Sequence, residues 1–227
     1  MFSDSESMNF SERNPVVQAD LAFPQSLAEK YRPRTISEFI GLEKPKKILG
    51  KFAAKPYPSA WLFVGPPGVG KTSMALALAS QIGAELHHLP SGKCNAQSIE
   101  ETVRLCHYMP MTLGGLHLVL VDEADGMTNP AQLALLSKLD ATAFPPNTIF
   151  IFTCNDTQGL EPRFLSRCRT VEFSSYGMAS EITAFLDRVW HSEGGNGNGP
   201  DLSRVVKDSR NNVRDALMTL EVELMAL

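Results

Sequence analysis

The octapeptide Gly65-Pro-Pro-Gly-Val-Gly-Lys71-Thr72 constrains this chain more than any other stretch of it. It fits the spacing G-x-x-x-x-G-K-[ST] and joins an apolar run, Ala60–Val64, to a helical stretch, Lys71–Ile82, stopped by Gly83. Glycines in such a loop let backbone N–H groups wrap a phosphate chain, and the helix that follows adds its positive end. Pro66, Pro67, Gly68, Val69, Gly70, Lys71, Thr72 and Ser73 are therefore the expected contacts of a nucleotide. Lys71 would reach the β- and γ-phosphates, and the Thr72 hydroxyl would ligate Mg²⁺. Chance places such an octapeptide in roughly 1% of chains this long, so a merely tight glycine turn is the weaker reading.

The pattern around the loop repeats. Glu85–Leu89 reads as a strand and Ala96–His107 as a helix; Leu116–Val121 is a strand, and Pro130–Asp140 a helix. Thr148–Thr153 is another buried strand and Arg169–Phe173 a short last one. Strands this apolar alternating with helices imply a parallel sheet covered on both faces. The expected fold is α/β, a central parallel five-stranded sheet flanked by helices, followed by a small helical lid. Helices are expected over Ala179–His191, about Leu202–Asp208, and from near Asn211, where Val213, Leu217, Leu220 and Leu224 share one stripe. Gly194–Pro200 reads as a flexible turn, and residues 1–26 as a flexible tail. The divisions expected are thus 1–26, 27–175 and 176–227.

Two further strands end in polar groups. Leu118-Val-Leu-Val-Asp122-Glu123 places two carboxylates where a parallel sheet faces its ligand crevice. Asp122 would hold Mg²⁺ through water, and Glu123 would orient and deprotonate the attacking water. Ile149-Phe-Ile-Phe-Thr-Cys-Asn155 repeats the device, with Asn155 placed to bond the γ-phosphate or the water. Arg163 and Arg167 fall in a short helix before the last strand, where periodicity alone leaves open a catalytic arginine or an ordinary solvated charge.

Composition limits the remaining choices. A formal net charge of −4 does not advertise nucleic-acid binding. Between Ala28 and Lys55 eight Lys and Arg face three Glu, which reads as a basic patch or as the solvated coat of a helix. No apolar run approaches the ~20 residues that span a bilayer, so no membrane partner and a cytoplasmic setting are expected. Cys94, Cys106, Cys154 and Cys168 form no C-x-x-C pair and read as buried reduced thiols. His87 and His88 would point to opposite faces of a strand, and no ligand role is expected for any of the five histidines. The apolar stretch Tyr108–Gly115 is expected to pack under the sheet edge rather than grip a partner.

From about Leu27 onward the chain resembles the clamp-loader group of the AAA+ ATPases, such as the small subunits of replication factor C. The resemblance rests on Glu29-Lys-Tyr-Arg-Pro-Arg-Thr-Ile-Ser-Glu-Phe-Ile-Gly41, the glycine-rich loop, Val121-Asp-Glu-Ala-Asp-Gly-Met-Thr128, Cys154-Asn155, Ser166-Arg167-Cys168 and Val213-Arg214-Asp215-Ala216-Leu217. It implies ATP and Mg²⁺ as ligands and hydrolysis as the activity. It implies that Tyr31, Arg32, Ile40 and Gly41 cup the adenine and that Asn155 is a first sensor. Arg167 would be a finger reaching the ATP of a neighbouring subunit, a copy of this chain or a homologous one. Arg214 would be a second sensor on the γ-phosphate of the chain's own nucleotide. DNA and a protein such as a sliding clamp are the partners it suggests. Family members continue into a collar domain, whereas this chain stops at Leu227, so assembly is expected to rest on the ATP-bearing interfaces, another protein or DNA. The segment matching the family's DNA-contacting stretch offers only Lys93 and Arg104, offset by Glu100 and Glu101, which predicts weak DNA binding per subunit.

Overall fold

The computed structural model describes residues 25–90, 92, 94–195 and 199–226. Most of the expected tail, Lys93 and the middle of the 194–200 turn lie outside the described residues. Five strands, β1 (Ser59–Val64), β2 (Glu85–Pro90), β3 (His117–Asp122), β4 (Thr148–Cys154) and β5 (Arg169–Glu172), form one sheet in the order β2-β3-β4-β1-β5. All four pairings are parallel. The expected α/β architecture is what the chain adopts.

The centre of the sheet is buried on both sides because β1, β3 and β4 are apolar on both faces, as a parallel sheet requires, while the edge strands β2 and β5 are partly exposed. On one face Trp61, Phe63, Leu118, Leu120, Ile149 and Ile151 join a core with α2 (Glu43–Ala54) and α3 (Lys71–Gln81). The same core continues into α7 (Ala179–Ser192), α8 (Leu202–Asp208) and α9 (Val213–Met225). In α7 the buried residues Ile182, Leu186, Val189 and Trp190 follow the helical period that makes one stripe apolar. On the opposite face Leu62, Val119, Val121, Phe150 and Phe152 pack against α4 (Ala96–Leu105), α5 (Asn129–Lys138) and α6 (Pro162–Leu165). A short α1 (Leu27–Lys30) begins the described chain and is tied to α9 by the Leu27 N–H, which donates to Glu221 Oε1.

Register decides where the strands end. Val64 of β1 pairs with Cys154 of β4, and Val121 of β3 pairs with Phe152. The carboxyl ends of β1, β3 and β4 therefore finish side by side. From β1 the chain crosses to β2 at the far edge, while β5 pairs with β1 on its other side, so the order reverses at β1 and opens a crevice there.

Three readings of the sequence are settled or corrected. Lys44, Lys47 and Lys51 are exposed on α2 while Pro45, Leu49 and Phe52 are buried, so this part of the basic stretch is a solvated helix face. Cys94, Cys106 and Cys154 are buried and Cys168 partly so, all as free thiols. The apolar stretch after α4 does not pack under the sheet edge: Met111 is 96% exposed, and Tyr108, Met109 and Leu113 are exposed as well. The Met111 N–H donates to Glu85 Oε2 and the Gly114 N–H to Gly83 O, which fastens the loop outside edge strand β2 with its side chains outward. Among the described residues no helix is long and apolar enough to cross a membrane.

Phe152 is fully buried between Phe150 (centroid separation 6.1 Å) and Phe164 (4.7 Å, edge to face). Phe152→Ala should cost about 3–5 kcal/mol of unfolding free energy, read as a lower urea midpoint.

Candidate nucleotide-binding site

The loop after β1 is a turn whose residues could not all carry side chains. Gly68 has φ +72°, and a Cβ there would overlap the Asn212 carboxamide. The loop ends at Gly70, which starts α3 with no side-chain cap on the first-turn N–H groups. Donors left unsatisfied at a helix start suit an anion. Pro66 and Pro67 form the exposed crest.

Beneath the crest lies Lys71, 8% exposed, whose ammonium donates to Gly65 O (2.6 Å), Pro66 O (2.9 Å) and Asn155 Oδ1 (3.1 Å). These three acceptors use all three of its protons. Burial pushes its pKa below the usual lysine value, opposed by nearby acidic groups that include Asp125, Asp122 and Glu123. Next to it the Thr72 hydroxyl donates to Asp122 Oδ1 at 2.7 Å. The Thr153 hydroxyl donates to that same oxygen and accepts from the Glu123 N–H at 3.0 Å. One buried hydroxyl thus sets both carboxylate-bearing residues. Glu123 itself is exposed and sits in the left-handed region (φ 54°, ψ 51°), a conformation that costs a non-glycine residue about 1 kcal/mol or more. Asn155 is fixed from behind, its N–H donating to Asp125 Oδ2 at 3.1 Å. A hydroxyl and a carboxylate side by side are hard oxygen donors of the kind Mg²⁺ takes, so Thr72 and Asp122 fit that ion.

On the other side of the loop a cavity of about 410 Å³ opens. Its walls include Tyr31, Arg32, Ile40, Gly68, Val69, Gly70, Ser73 and Arg214, all anticipated from sequence. Gly41 lies instead in a neighbouring groove with Tyr31, Arg32 and Ile40, and a Cβ on it would press into Met178 and Glu181. Tyr31 is held away from the sheet, with its ring edge-on to Phe185 at 6.1 Å and its hydroxyl donating to Glu193. Arg167 joins neither group. Its guanidinium donates to Arg163 O (3.1 Å) and Asp140 Oδ2 (3.3 Å), and both charged side chains are partly exposed.

Several residues of the site escaped the reading of the sequence. Phe39, Leu217 and Met218 line the cavity. Asn212 caps α9, accepting from the N–H groups of Arg214 (3.1 Å) and Asp215 (3.3 Å) while covering Gly68. An Asn one residue before a helical stretch is a capping signal and was available to find it. Thr153, a polar residue in a run otherwise apolar and 1% exposed, was the other available signal.

The family described as "ATPase family associated with various cellular activities (AAA)" matches residues 61–176. Replication factor C small subunit 1 of Pyrobaculum islandicum is 33% identical over 202 residues, which cover 86% of this chain and 60% of that protein. The replication factor C large subunit of Methanosarcina mazei is 30% identical over 200 residues, covering 86% of this chain and 33% of that one. The chain thus spans about 60% of the length of the small-subunit relatives. Among solved structures, the Thermotoga maritima RuvB Holliday junction branch migration motor superposes with a TM-score of 0.70 at 20% identity, over 84% of this chain and 64% of that one. At that identity the likeness is one of fold.

Thr153→Val keeps the shape and removes the hydroxyl shared by Asp122 and Glu123. It should cost about 1–3 kcal/mol in thermal or urea unfolding, the range for stranding buried hydrogen-bonding groups.

Proposed function

Because this chain belongs to the AAA family of ATPases, we propose that it works as an oligomeric ATPase coupling Mg-ATP binding and hydrolysis to the assembly or remodelling of a partner. The role we assign is clamp-loader-like, in DNA replication, recombination or repair. The observation that carries this reading is the hydrogen-bonded group of Lys71, Thr72, Asp122 and Asn155, set beside a cavity that Arg214 of α9 helps to close.

Each residue then has a task. The cavity receives adenine and ribose, with Tyr31, Arg32 and Ile40 on one wall and Gly41 letting Met178 and Glu181 come close behind. Lys71 exchanges its carbonyl partners for oxygens of the β- and γ-phosphates, a trade of neutral acceptors for charged ones that favours binding. Thr72 directly and Asp122 through water would hold Mg²⁺, which would supply positive charge to the phosphates. Glu123, exposed next to that pair, takes the proton of the attacking water, and Asn155 orients the water or the γ-phosphate. Arg214 reaches the γ-phosphate from α9, so residues 176–227 act as a lid on a nucleotide-binding unit of 27–175. Arg167 is held by a partly exposed ion pair with Asp140 and a hydrogen bond to the Arg163 carbonyl, contacts weak enough to give way when a neighbouring subunit presents its ATP. The neighbour is a copy of this chain or a homologous AAA+ subunit. Free thiols throughout suit a reducing, cytoplasmic setting.

A second reading has its own support. Arg104 is exposed, but Glu100 of the same segment pairs with Lys138 and Glu101 accepts from Gln97, so α4 offers DNA little positive charge. An ATP-dependent switch or scaffold that docks a protein fits that surface, with little DNA contact. The ATPase rate separates the two: stimulation by DNA that falls with salt favours the first, stimulation by a protein alone the second.

Glu123→Gln should bind Mg-ATP as the parent does while turnover falls by roughly 10²–10⁴-fold. Normal turnover in that variant would remove Glu123 from the chemistry. Arg167→Ala should still assemble and bind ATP, with turnover lower by roughly 10³–10⁵-fold. Full activity of Arg167→Ala, or of isolated monomers, would exclude a finger acting between subunits.

A further inference from the structure

His87 and His88 do point to opposite faces of β2: His88 lies 4.0 Å from Asp122, and His87 turns to the α4 side. There it meets a second histidine. Parallel register places Glu85 of β2 beside His117 of β3, and the two-residue strand period puts His87 on the same face as both. His87 Nε2 lies 3.0 Å from His117 Nδ1. Cys106, which ends α4, brings its sulfur into the same group, and the three ligand atoms all lie within 4.8 Å of one another. Cys106 and His117 are buried and His87 is half-buried.

We propose that His87, Cys106 and His117 form a binding site for one thiophilic divalent cation of the zinc class, distinct from the Mg²⁺ site at Thr72 and Asp122. The geometry is close to what the ion demands. With Zn–N near 2.0–2.1 Å and Zn–S near 2.3 Å, tetrahedral ligands stand about 3.3 Å apart for two nitrogens and about 3.6 Å for nitrogen and sulfur. The two nitrogens stand 3.0 Å apart and no pair of ligand atoms is more than 4.8 Å apart, so shifts of about an ångström at the side-chain ends reach those separations. The tautomer is set as well. His117 Nε2 lies 2.9 Å from the Tyr108 carbonyl, which can only accept, so Nε2 carries the proton and the Nδ1 lone pair faces the cluster. A carbonyl behind a histidine in this way is the usual outer support of a zinc ligand. Burial, with His117 beside it, pushes the His87 pKa down, and burial pushes the Cys106 thiol up to about 11. Cation binding would therefore release the thiol proton to solvent as the sulfur takes the metal. Glu85 Oε2, 3.9 Å from His117 Nδ1, or a water completes the fourth position.

The site has a structural consequence. His117 holds the Tyr108 carbonyl and Glu85 holds the Met111 N–H, so the cluster sits at the base of the exposed apolar loop. A bound cation would brace that loop without touching the nucleotide groups.

The test uses the full chain, stripped with EDTA and returned to buffer with excess Mg²⁺ so that the nucleotide site is not the one read. Titration with Co²⁺ should give one equivalent with intense tetrahedral d–d absorption and a thiolate-to-cobalt charge-transfer band, both erased by Zn²⁺. Cys106→Ser should lose the charge-transfer band. His87→Gln, at the half-buried position and confirmed folded by circular dichroism, should weaken Zn²⁺ binding by at least the roughly 10–100-fold that even an outer partner is worth. Zn²⁺ should also slow chymotryptic cleavage at Tyr108 in the parent and not in His87→Gln. A spectrum without sulfur charge transfer, or binding unchanged in both variants, would overturn the site and leave a plain histidine–histidine hydrogen bond.

Discussion

The structure turns on one carboxylate. Asp122 Oδ1 accepts from the hydroxyls of Thr72 on α3 and Thr153 on β4, so a single oxygen joins the loop helix to two neighbouring strands. The Thr153 hydroxyl in turn receives the Glu123 N–H and holds that residue in its left-handed turn. The Thr153 contacts depend on strand register. A slip of one residue between β3 and β4 would send Thr153 to the wrong face, leaving Asp122 with Thr72 alone and the Glu123 N–H without its acceptor. The slip would also exchange Ile149 and Ile151 for Phe150 and Phe152 against Leu118 and Leu120, changing the volume packed on each face.

A second set of contacts joins the helices after β5 to the loop. Asn212 covers Gly68, the Asn211 amide donates to Ser175 O, and Glu221 accepts from the N–H of Leu27. The cavity therefore has walls from the amino-terminal segment, the loop and α9 together. On the proposed function a nucleotide would touch all three at once, and the position of α9 would report whether one is bound. On that function Arg214, which lines the cavity from α9, would link that report to the γ-phosphate.

Much of this was legible in the residues themselves. The loop is a fixed spacing, and spacing survives without coordinates. β1, β3 and β4 were visible because the centre of a parallel sheet leaves no solvent face, making each of them a largely apolar run; the edge strands β2 and β5 carry polar residues and are partly exposed. Helix ends moved by a residue or two, as with α5, which starts at Asn129 and stops at Lys138, because end turns are decided by local hydrogen bonds rather than by period. Thr153 is a weak signal, a lone polar residue in an apolar run, because a β-branched residue reads as strand-forming whether or not its hydroxyl is used. The placement of Met109, Met111 and Leu113 was misread because apolar character does not say which side of a strand a loop takes; the Glu85 carboxylate decided that. His87, Cys106 and His117 carry no ligand signal in the sequence, where the neighbouring His87 and His88 diverge and no cysteine falls in a C-x-x-C pair. Only the β2–β3 register and the end of α4 bring them together.

Calorimetric titration of the folded chain with ATP, first with Mg²⁺ and then with EDTA, bears most directly on the loop and the Asp122 joint. The expected result is one nucleotide per chain, bound tightly with Mg²⁺ and much more weakly without it or in Asp122→Asn. Heat traces with no saturable uptake of ATP, or uptake indifferent to Mg²⁺ and to Asp122, would contradict the site as built from these residues.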